Sequence, residues 1–186
     1  MHARGTELAW MVTLAGDSCD PQFIQTYVGG ENWAVYDDRI AGTWYLDPAG
    51  RDRVHSPQGD KDAPCDTVVG LASRDANSAA VLCSDHSVFR TTDAAKSWSI
   101  ATPVPGAVTL AGSADGFTIA ATGQSGCDGV AIAIVDSGAS SATTTGCVTT
   151  PVSSVGAVAL ADTGERIWLW IGDALVLSGD SGTSWQ

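Results

Sequence analysis

Carboxylates and one imidazole crowd into a short stretch of this chain. Asp47, Asp52, Asp60 and Asp62 lie between Asp47 and Pro64 together with His55, so one segment offers oxygen and nitrogen donors at high local density. A hard cation such as calcium takes several such oxygens, although this spacing does not follow the EF-hand loop. Trp44 and Tyr45 stand just upstream, with Tyr27 and Tyr36 before them, and flat aromatic faces can stack on a sugar or a peptide. The same residues have plainer uses, because acidic loops are often simply solvated and aromatics in strands usually build core. The expectation carried forward is a binding site at Trp44, Tyr45, Asp47, Asp52, His55, Asp60 and Asp62. No resident cofactor or metal is expected, and calcium is the one cation considered.

Catalytic chemistry is harder to assemble. Hydrolysis of a glycosidic bond needs two carboxyl groups at a set separation. The aspartates are abundant, Asp17, Asp20, Asp37 and Asp38 among them, but sequence cannot pair them. Glutamate occurs only as Glu7, Glu31 and Glu165, and Glu165-Arg166 leaves a turn where solvated charge suffices. A Ser-His-Asp relay could draw only on His2 near the start, His55 in the acidic segment and His86 in a two-residue turn. No catalytic residue is assigned.

The cysteines Cys19, Cys65, Cys83, Cys127 and Cys147 form no Cys-x-x-Cys pair and have no histidine at metal-ligand spacing, which argues against zinc. Cys65 precedes a first strand and Cys83 ends its antiparallel neighbour, while Cys127 and Cys147 flank a third and a fourth strand in the same manner. Each pair is thereby brought within bridging reach. Disulfides Cys65–Cys83 and Cys127–Cys147 are expected, with Cys19 left for a partner elsewhere or as a free thiol. Bridging implies an oxidising compartment, secreted or in the cell envelope, whereas five reduced, buried cysteines would imply the cytosol.

The elements that must position these groups are short strands. Thr67–Ser73, Ala79–Cys83 and Ser87–Thr91 form one set, Ala107–Ala111, Phe117–Thr122 and Val130–Val135 a second, and Ala157–Ala161, Ile167–Ile171 and Ala174–Ser178 a third. Turn residues such as Asp115-Gly116 and Gly172-Asp173 separate them. No segment shows a capped helical period, so the fold class is all-β. Ile167-Trp168-Leu169-Trp170-Ile171 is apolar without alternation, which predicts that both of its faces are covered.

The turn that follows each third strand is itself repeated. Thr91-Thr92-Asp93-Ala94-Ala95-Lys96-Ser97-Trp98 and Ser178-Gly179-Asp180-Ser181-Gly182-Thr183-Ser184-Trp185 share hydroxyl, carboxylate and indole in register, and Asp136-Ser137-Gly138 reads as an eroded copy between them. Asp93, Asp136 and Asp180 fall 43 and 44 residues apart, a period that suits a four-stranded propeller blade. Cys127 stands nine residues before Asp136 and Cys19 nine before Val28, a register that makes Thr26–Trp33 a first copy, keeping Thr26, Gly30 and Trp33 without the Asp. The interval from Val28 to Asp93 is 65 residues, and the excess is assigned to an insertion loop at 47–64.

One cooperative domain over 1–186 follows, with blade units at about 7–46, 65–104, 105–150 and 154–186. The first unit is expected to lack its first strand and the last its fourth. The expectation is a fragment of a longer exported bacterial protein, with two ends that close a small ring or two chains that share one as the alternatives. Charge is strongly acidic, net −12 with Lys61 and Lys96 as the lysines, a field that repels nucleic acid and anionic lipid. Met1–Gly5 is too short and polar for a signal-peptide core and the longest apolar runs are strand-sized, so membrane insertion is not expected and an export signal would lie upstream.

The pattern Ser/Thr-x-Asp-x-Gly-x-x-Trp resembles the Asp-box of the bacterial-neuraminidase (BNR) repeat family, shared by sialidases, some glucanases, sortilin-type receptors and photosystem assembly factors. The resemblance implies a β-propeller of four-stranded antiparallel blades, with each box a hairpin on the blade periphery. Asp93, Trp98, Asp136, Gly138, Asp180, Gly182, Trp185, Gly30 and Trp33 would then be structural. The carboxylate accepts backbone N–H bonds, glycine supplies φ > 0 and the indole plugs the gap between blades. The implied function is a non-catalytic exported propeller that binds a protein or a glycan, with self-association or a further chain segment completing the ring. The alternative is part of a glycoside hydrolase of sialidase or glucanase type. Arg39-Ile40 is similar to the start of the sialidase Arg-Ile-Pro motif, with Ala41 in place of the proline.

Overall fold

Short apolar strands joined by tight turns can bury their faces only by stacking sheet on sheet, and the chain does this in sequence order. The computed structural model describes residues 2–4, 6–17, 19–100, 104–113, 115–136 and 142–186. The first sheet contains β1 (His2–Arg4), β2 (Leu8–Ala15), β3 (Asp20–Thr26) and β4 (Ala34–Val35), in that spatial order. A 3-10 turn at Asp37–Gly42 and a hairpin, β5 (Arg53–Ser56) and β6 (Gly59–Asp62), follow. The second sheet is β7 (Val68–Ser73), β8 (Ala79–Cys83), β9 (Val88–Thr91) and β10 (Ser99–Ile100). The third is β11 (Ala107–Gly112), β12 (Gly116–Thr122), β13 (Val130–Asp136) and β14 (Thr143–Val148), and the fourth is β15 (Val158–Asp162), β16 (Ile167–Ile171) and β17 (Ala174–Ser178).

These up-and-down antiparallel sheets, packed face to face with β7, β11 and β15 side by side, are the blades of a β-propeller. Phe117, Ile119 and Val135 of the third sheet pack on Leu82 and Val88 of the second. The opposite face of the same sheet, with Ala120, Val130 and Ile132, packs on Val158, Leu169 and Ile171 of the fourth. Strand β12 is therefore buried along nearly its whole length.

Three expectations change. The first sheet has a first strand, because His2 pairs with Trp10 and Arg4 with Leu8; three residues without alternation give no sequence signal. Strand β16 is not covered on both faces. Ile167, Leu169 and Ile171 are buried, whereas Trp168 is half-buried and Trp170 exposed, so two chemically similar faces had concealed an ordinary alternation. The segment at 47–64 is not a projecting loop either. Val54 and Ser56 of its hairpin are fully buried, and with Trp44 the hairpin covers the face of the second sheet that presents Ala79 and Val81. It acts as a packing layer.

The turns at Thr91–Trp98 and Ser178–Trp185 share one bonding scheme. The Thr91 hydroxyl accepts the Ala95 N–H at 3.0 Å and donates to Asp93 Oδ1 at 2.8 Å, while the Ser97 N–H and hydroxyl donate to the two Asp93 oxygens at 3.0 and 2.6 Å. Ser178, Asp180, Gly182 and Ser184 repeat it at 2.8 Å for Ser178 to Asp180 Oδ1 and 2.9 Å for the Gly182 N–H. In the first copy Thr26 still accepts the Gly30 N–H at 3.1 Å, with no carboxylate at Val28. The third copy departs from its expected register. Val135, not Ile134, lies on the face equivalent to that of Thr91 and Ser178, so Asp136 ends strand β13 opposite Gly116, one residue short of the aspartate position. Ser137 and Gly138 lie outside the described residues.

Both expected disulfides are formed, Cys65–Cys83 with Cα atoms 6.3 Å apart and Cys127–Cys147 at 5.7 Å. Cys19 is an exposed free thiol. Past Trp185 the chain turns back beside β17, where Leu177 and Gln186 exchange N–H···O bonds at 2.9 and 3.0 Å, at the point where Ser99 pairs with Arg90 in the second sheet.

Candidate functional site

Between the first sheet and the second lies a cleft of about 310 Å³. Trp10, Met11, Val12 and Leu14 of β2 form one wall, Val69, Gly70 and Leu71 of β7 the other, and Thr43 to Leu46 with Pro48 close it. It exists because the hairpin, rather than the first sheet, packs on Ala79 and Val81, leaving β2 and β7 apart. Leu14 and Val69 are exposed at its mouth. Its lining side chains are mostly apolar while polar atoms make up about half of its accessible surface, a mixture that suits a sugar face or a peptide.

Part of the expected site is assembled beside this cleft. Tyr45 and His55 pair in a backbone bridge and their rings stack at 4.3 Å. His55 Nδ1 lies 2.6 Å from Asp60 Oδ1. The other ring nitrogen, Nε2, is buried and has no hydrogen-bond partner among the described residues. The Tyr45 phenol titrates above its ordinary value because burial disfavours the phenolate, with the Asp60 and Asp47 carboxylates adding to the effect. Tyr45 therefore stays neutral, a stacking and hydrogen-bonding group.

Other expected members serve the fold. Trp44 is core, 8% exposed, and donates its indole N–H to the Asp75 carbonyl at 2.8 Å. Asp47 accepts the Ala49 N–H at 2.8 Å within its own turn. Asp52 and Asp62 contribute backbone carbonyls, Asp52 to the Ala63 N–H at 2.8 Å and Asp62 to the Trp98 indole at 3.2 Å. Among the described residues no three His, Cys, Asp or Glu side chains converge as a metal site. Arg39 donates to Gln25 and, at 2.9 Å, to Tyr27, and its guanidinium lies 4.2 Å from the Tyr36 ring centre. His86 holds the Ala107 carbonyl at 2.8 Å and so ties the second sheet to the third.

Sequence reasoning missed Trp10, Met11, Leu14, Val69 and Leu71, since ordinary strand residues carry no mark of facing an empty space. A second, more polar cleft of about 130 Å³ lies between the third and fourth sheets, lined by Asp115, Asp136, Asp162, Glu165 and Arg166. There Asp162 is already engaged, accepting from the buried Thr118 hydroxyl and from the Gly164 N–H at 2.7 Å.

No protein-family model matches this chain, and no curated protein does. Several solved structures resemble it. A YCF48 structure with a bound D1 peptide aligns at 17% identity and TM-score 0.44, over 99% of this chain and 51% of that one. A GH74 enzyme of Niastella koreensis aligns at 20% identity and TM-score 0.49, over 97% of this chain and 23% of that one. YCF48 from Cyanidioschyzon merolae aligns at 13% identity and TM-score 0.34, over 98% and 66%. The chain thus spans about half of the first of these and under a quarter of the second.

Proposed function

We propose that this chain is a non-catalytic, extracytoplasmic β-propeller of Asp-box type that binds an apolar segment of a protein, or the apolar face of a glycan, in the cleft between its first and second sheets. The observation that carries this reading is the cleft itself, walled by Trp10, Met11, Val12, Leu14, Val69 and Leu71 and flanked by the neutral Tyr45. The carboxylates nearby are engaged, Asp60 with His55 and Asp47 with the Ala49 amide. That is how a stacking surface is braced, and an acid–base pair would instead need a carboxyl group facing the scissile bond. The two disulfides support an oxidising compartment.

The test is a screen of the purified chain against a displayed peptide library and a glycan array, repeated with Leu14→Lys and Val69→Lys. Both positions are exposed, so the fold should tolerate the change. Binders lost with either substitution are expected. Binders indifferent to both, or turnover of fluorogenic sialosides or β-glucans by the unaltered chain, would refute the reading.

A further inference from the structure

The hairpin and the segment before it share one rung that carries three different polar groups. Tyr45 bridges His55 in antiparallel fashion, and His55 pairs with Asp60 across the hairpin. A phenol, an imidazole and a carboxylate therefore stand side by side on one face. Trp44 and Val54, at the alternate positions, turn the other way, onto Ala79 and Val81 of the second sheet. The rings of Tyr45 and His55 stack at 4.3 Å, and His55 Nδ1 lies 2.6 Å from Asp60 Oδ1. The outer member of this rung, Tyr45, lines the cleft between the first and second sheets.

A second carboxylate stands beside Tyr45. Leu46 and Pro48 line the cleft, and Asp47 between them is exposed. Asp47 Oδ1 accepts the Ala49 N–H at 2.8 Å, and Asp60, its side chain 61% exposed, is likewise engaged through Oδ1. Among the described residues neither Oδ2 has a bonding partner. Burial first, and then these same two carboxylates, hold the Tyr45 phenol above its ordinary value, so both act on the ring from close by. Among the described residues no lysine or arginine lines the cleft. The base on the face of the rung is Arg53, which stands opposite Asp62, while Lys61 stands opposite Val54 on the other face. The rim is thus net negative, in a chain of net charge −12.

We infer that the ligand of this cleft is a polypeptide segment that pairs an apolar side chain with a lysine or arginine, the apolar group lying between β2 and β7 and the cation beside Tyr45, between Asp47 and Asp60. The inference rests on the binding reading above and narrows it to one class of partner. Met11, Val12, Leu14, Val69 and Leu71 are aliphatic and fit an apolar side chain, whereas a sugar ring stacks on flat aromatic faces. A cation gains from both open carboxylate oxygens and from the phenol ring. A neutral glycan leaves the two charges unused, and an acidic one is repelled by them. The field of the whole chain acts in the same sense and speeds the approach of a basic segment at low salt.

Selection of a displayed random-peptide library on the 186-residue chain tests this, followed by anisotropy titration of the tightest peptide and of its version with glutamine in place of the basic residue. Selected peptides should be enriched in lysine or arginine beside an apolar residue. Asp47→Asn and Asp60→Asn should each weaken the basic peptide by about threefold, and together by about tenfold, and leave the glutamine peptide unchanged. Both positions are exposed, and asparagine keeps a hydrogen-bonding group for the Ala49 amide and for His55, so each variant should keep the circular dichroism spectrum of the unaltered chain. High salt should shrink the preference for the basic peptide, and Asp47→Lys with Asp60→Lys should turn it toward glutamate. Leu14→Gln and Val69→Gln probe the cleft without adding charge. Peptides that need these two positions but lack basic residues and ignore both asparagine variants would overturn the inference and leave the cleft reading in place. A selection that yields no peptide dependent on Leu14 or Val69 would also overturn it, and a glycan so dependent would then leave the cleft reading standing alone.

Discussion

Ala95 and Gly182 occupy the same position of the same turn, both with left-handed backbone, at φ of 65° and 85°. Each donates its N–H to the hydroxyl that opens the turn, Thr91 at 3.0 Å and Ser178 at 2.9 Å. Their surroundings differ. A methyl group on Gly182 would stand 3.0 Å from both Ile132 Cγ2 and Thr145 Oγ1, whereas the Ala95 methyl is already buried among Val81, Trp44 and their neighbours. Gly182→Ala is therefore expected to cost about 1–3 kcal/mol through strain and overpacking. Ala95→Gly should stay within about 1 kcal/mol, since relief of the left-handed penalty offsets a lost buried methyl. Urea denaturation of the two variants checks the asymmetry.

Trp44 and Trp98 give a second pair. Both indoles donate to backbone carbonyls, but Trp44 is buried and Trp98 half-buried. Trp44→Ala should cost about 3–5 kcal/mol, the range for a buried aromatic, and Trp98→Ala roughly half of that. A Trp44→Ala protein as stable as the parent would place that residue outside the core and return it to the list of ligand-binding aromatics.

The turn carboxylates set an acid limit. Asp93 and Asp180 are each held down to about 2 from 3.8, first by the hydroxyl of Ser97 or Ser184, then by the backbone N–H of that same residue and by Thr91 or Ser178. A carboxyl group whose folded value is depressed stabilises the fold above its unfolded value and loses that contribution as pH falls through the folded one. Stability should thus decline between about pH 4 and pH 2. Asp93→Asn and Asp180→Asn should flatten this limb of the melting-temperature profile, and an unchanged profile would argue against the bonding scheme.

The Cys65–Cys83 bridge closes a loop across a sequence separation of 18 residues and ties the segment after the hairpin to β8. Replacing both cysteines by alanine is expected to cost about 3 kcal/mol. Thermal melts check this: the double variant should lose that amount against the oxidised parent, and the parent under reducing conditions, where Cys127–Cys147 opens as well, should lose more.

Much of this architecture was legible because strand alternation and turn chemistry are local. Ala79–Cys83, Ile167–Ile171 and Ala174–Ser178 fall where short apolar runs bounded by turns put them, and the cysteine pairs followed from which strands lie side by side. The rest depended on packing. Nothing local distinguishes Trp44 in a core from Trp44 on a ligand surface, and the inward Val54 and Ser56 resemble any short polar hairpin. The eroded third turn was misaligned by one residue because Asp136 was matched by residue type, while the face occupied by Val135 became visible only in the sheet. The candidate site was half legible. Tyr45, His55 and Asp60 do meet, but the walls of the cleft are ordinary strand residues whose exposure follows from where the hairpin docks.

The proposed function has ligand entering between β2 and β7 and not at the tip of the hairpin. Hydrogen–deuterium exchange of the chain, with and without the tightest binder recovered from the peptide library or glycan array, tests it most directly. Slowed exchange at Trp10–Leu14 and Val69–Leu71 is the expected result. Protection confined to Pro57–Lys61, with the two cleft strands unchanged, would contradict the account.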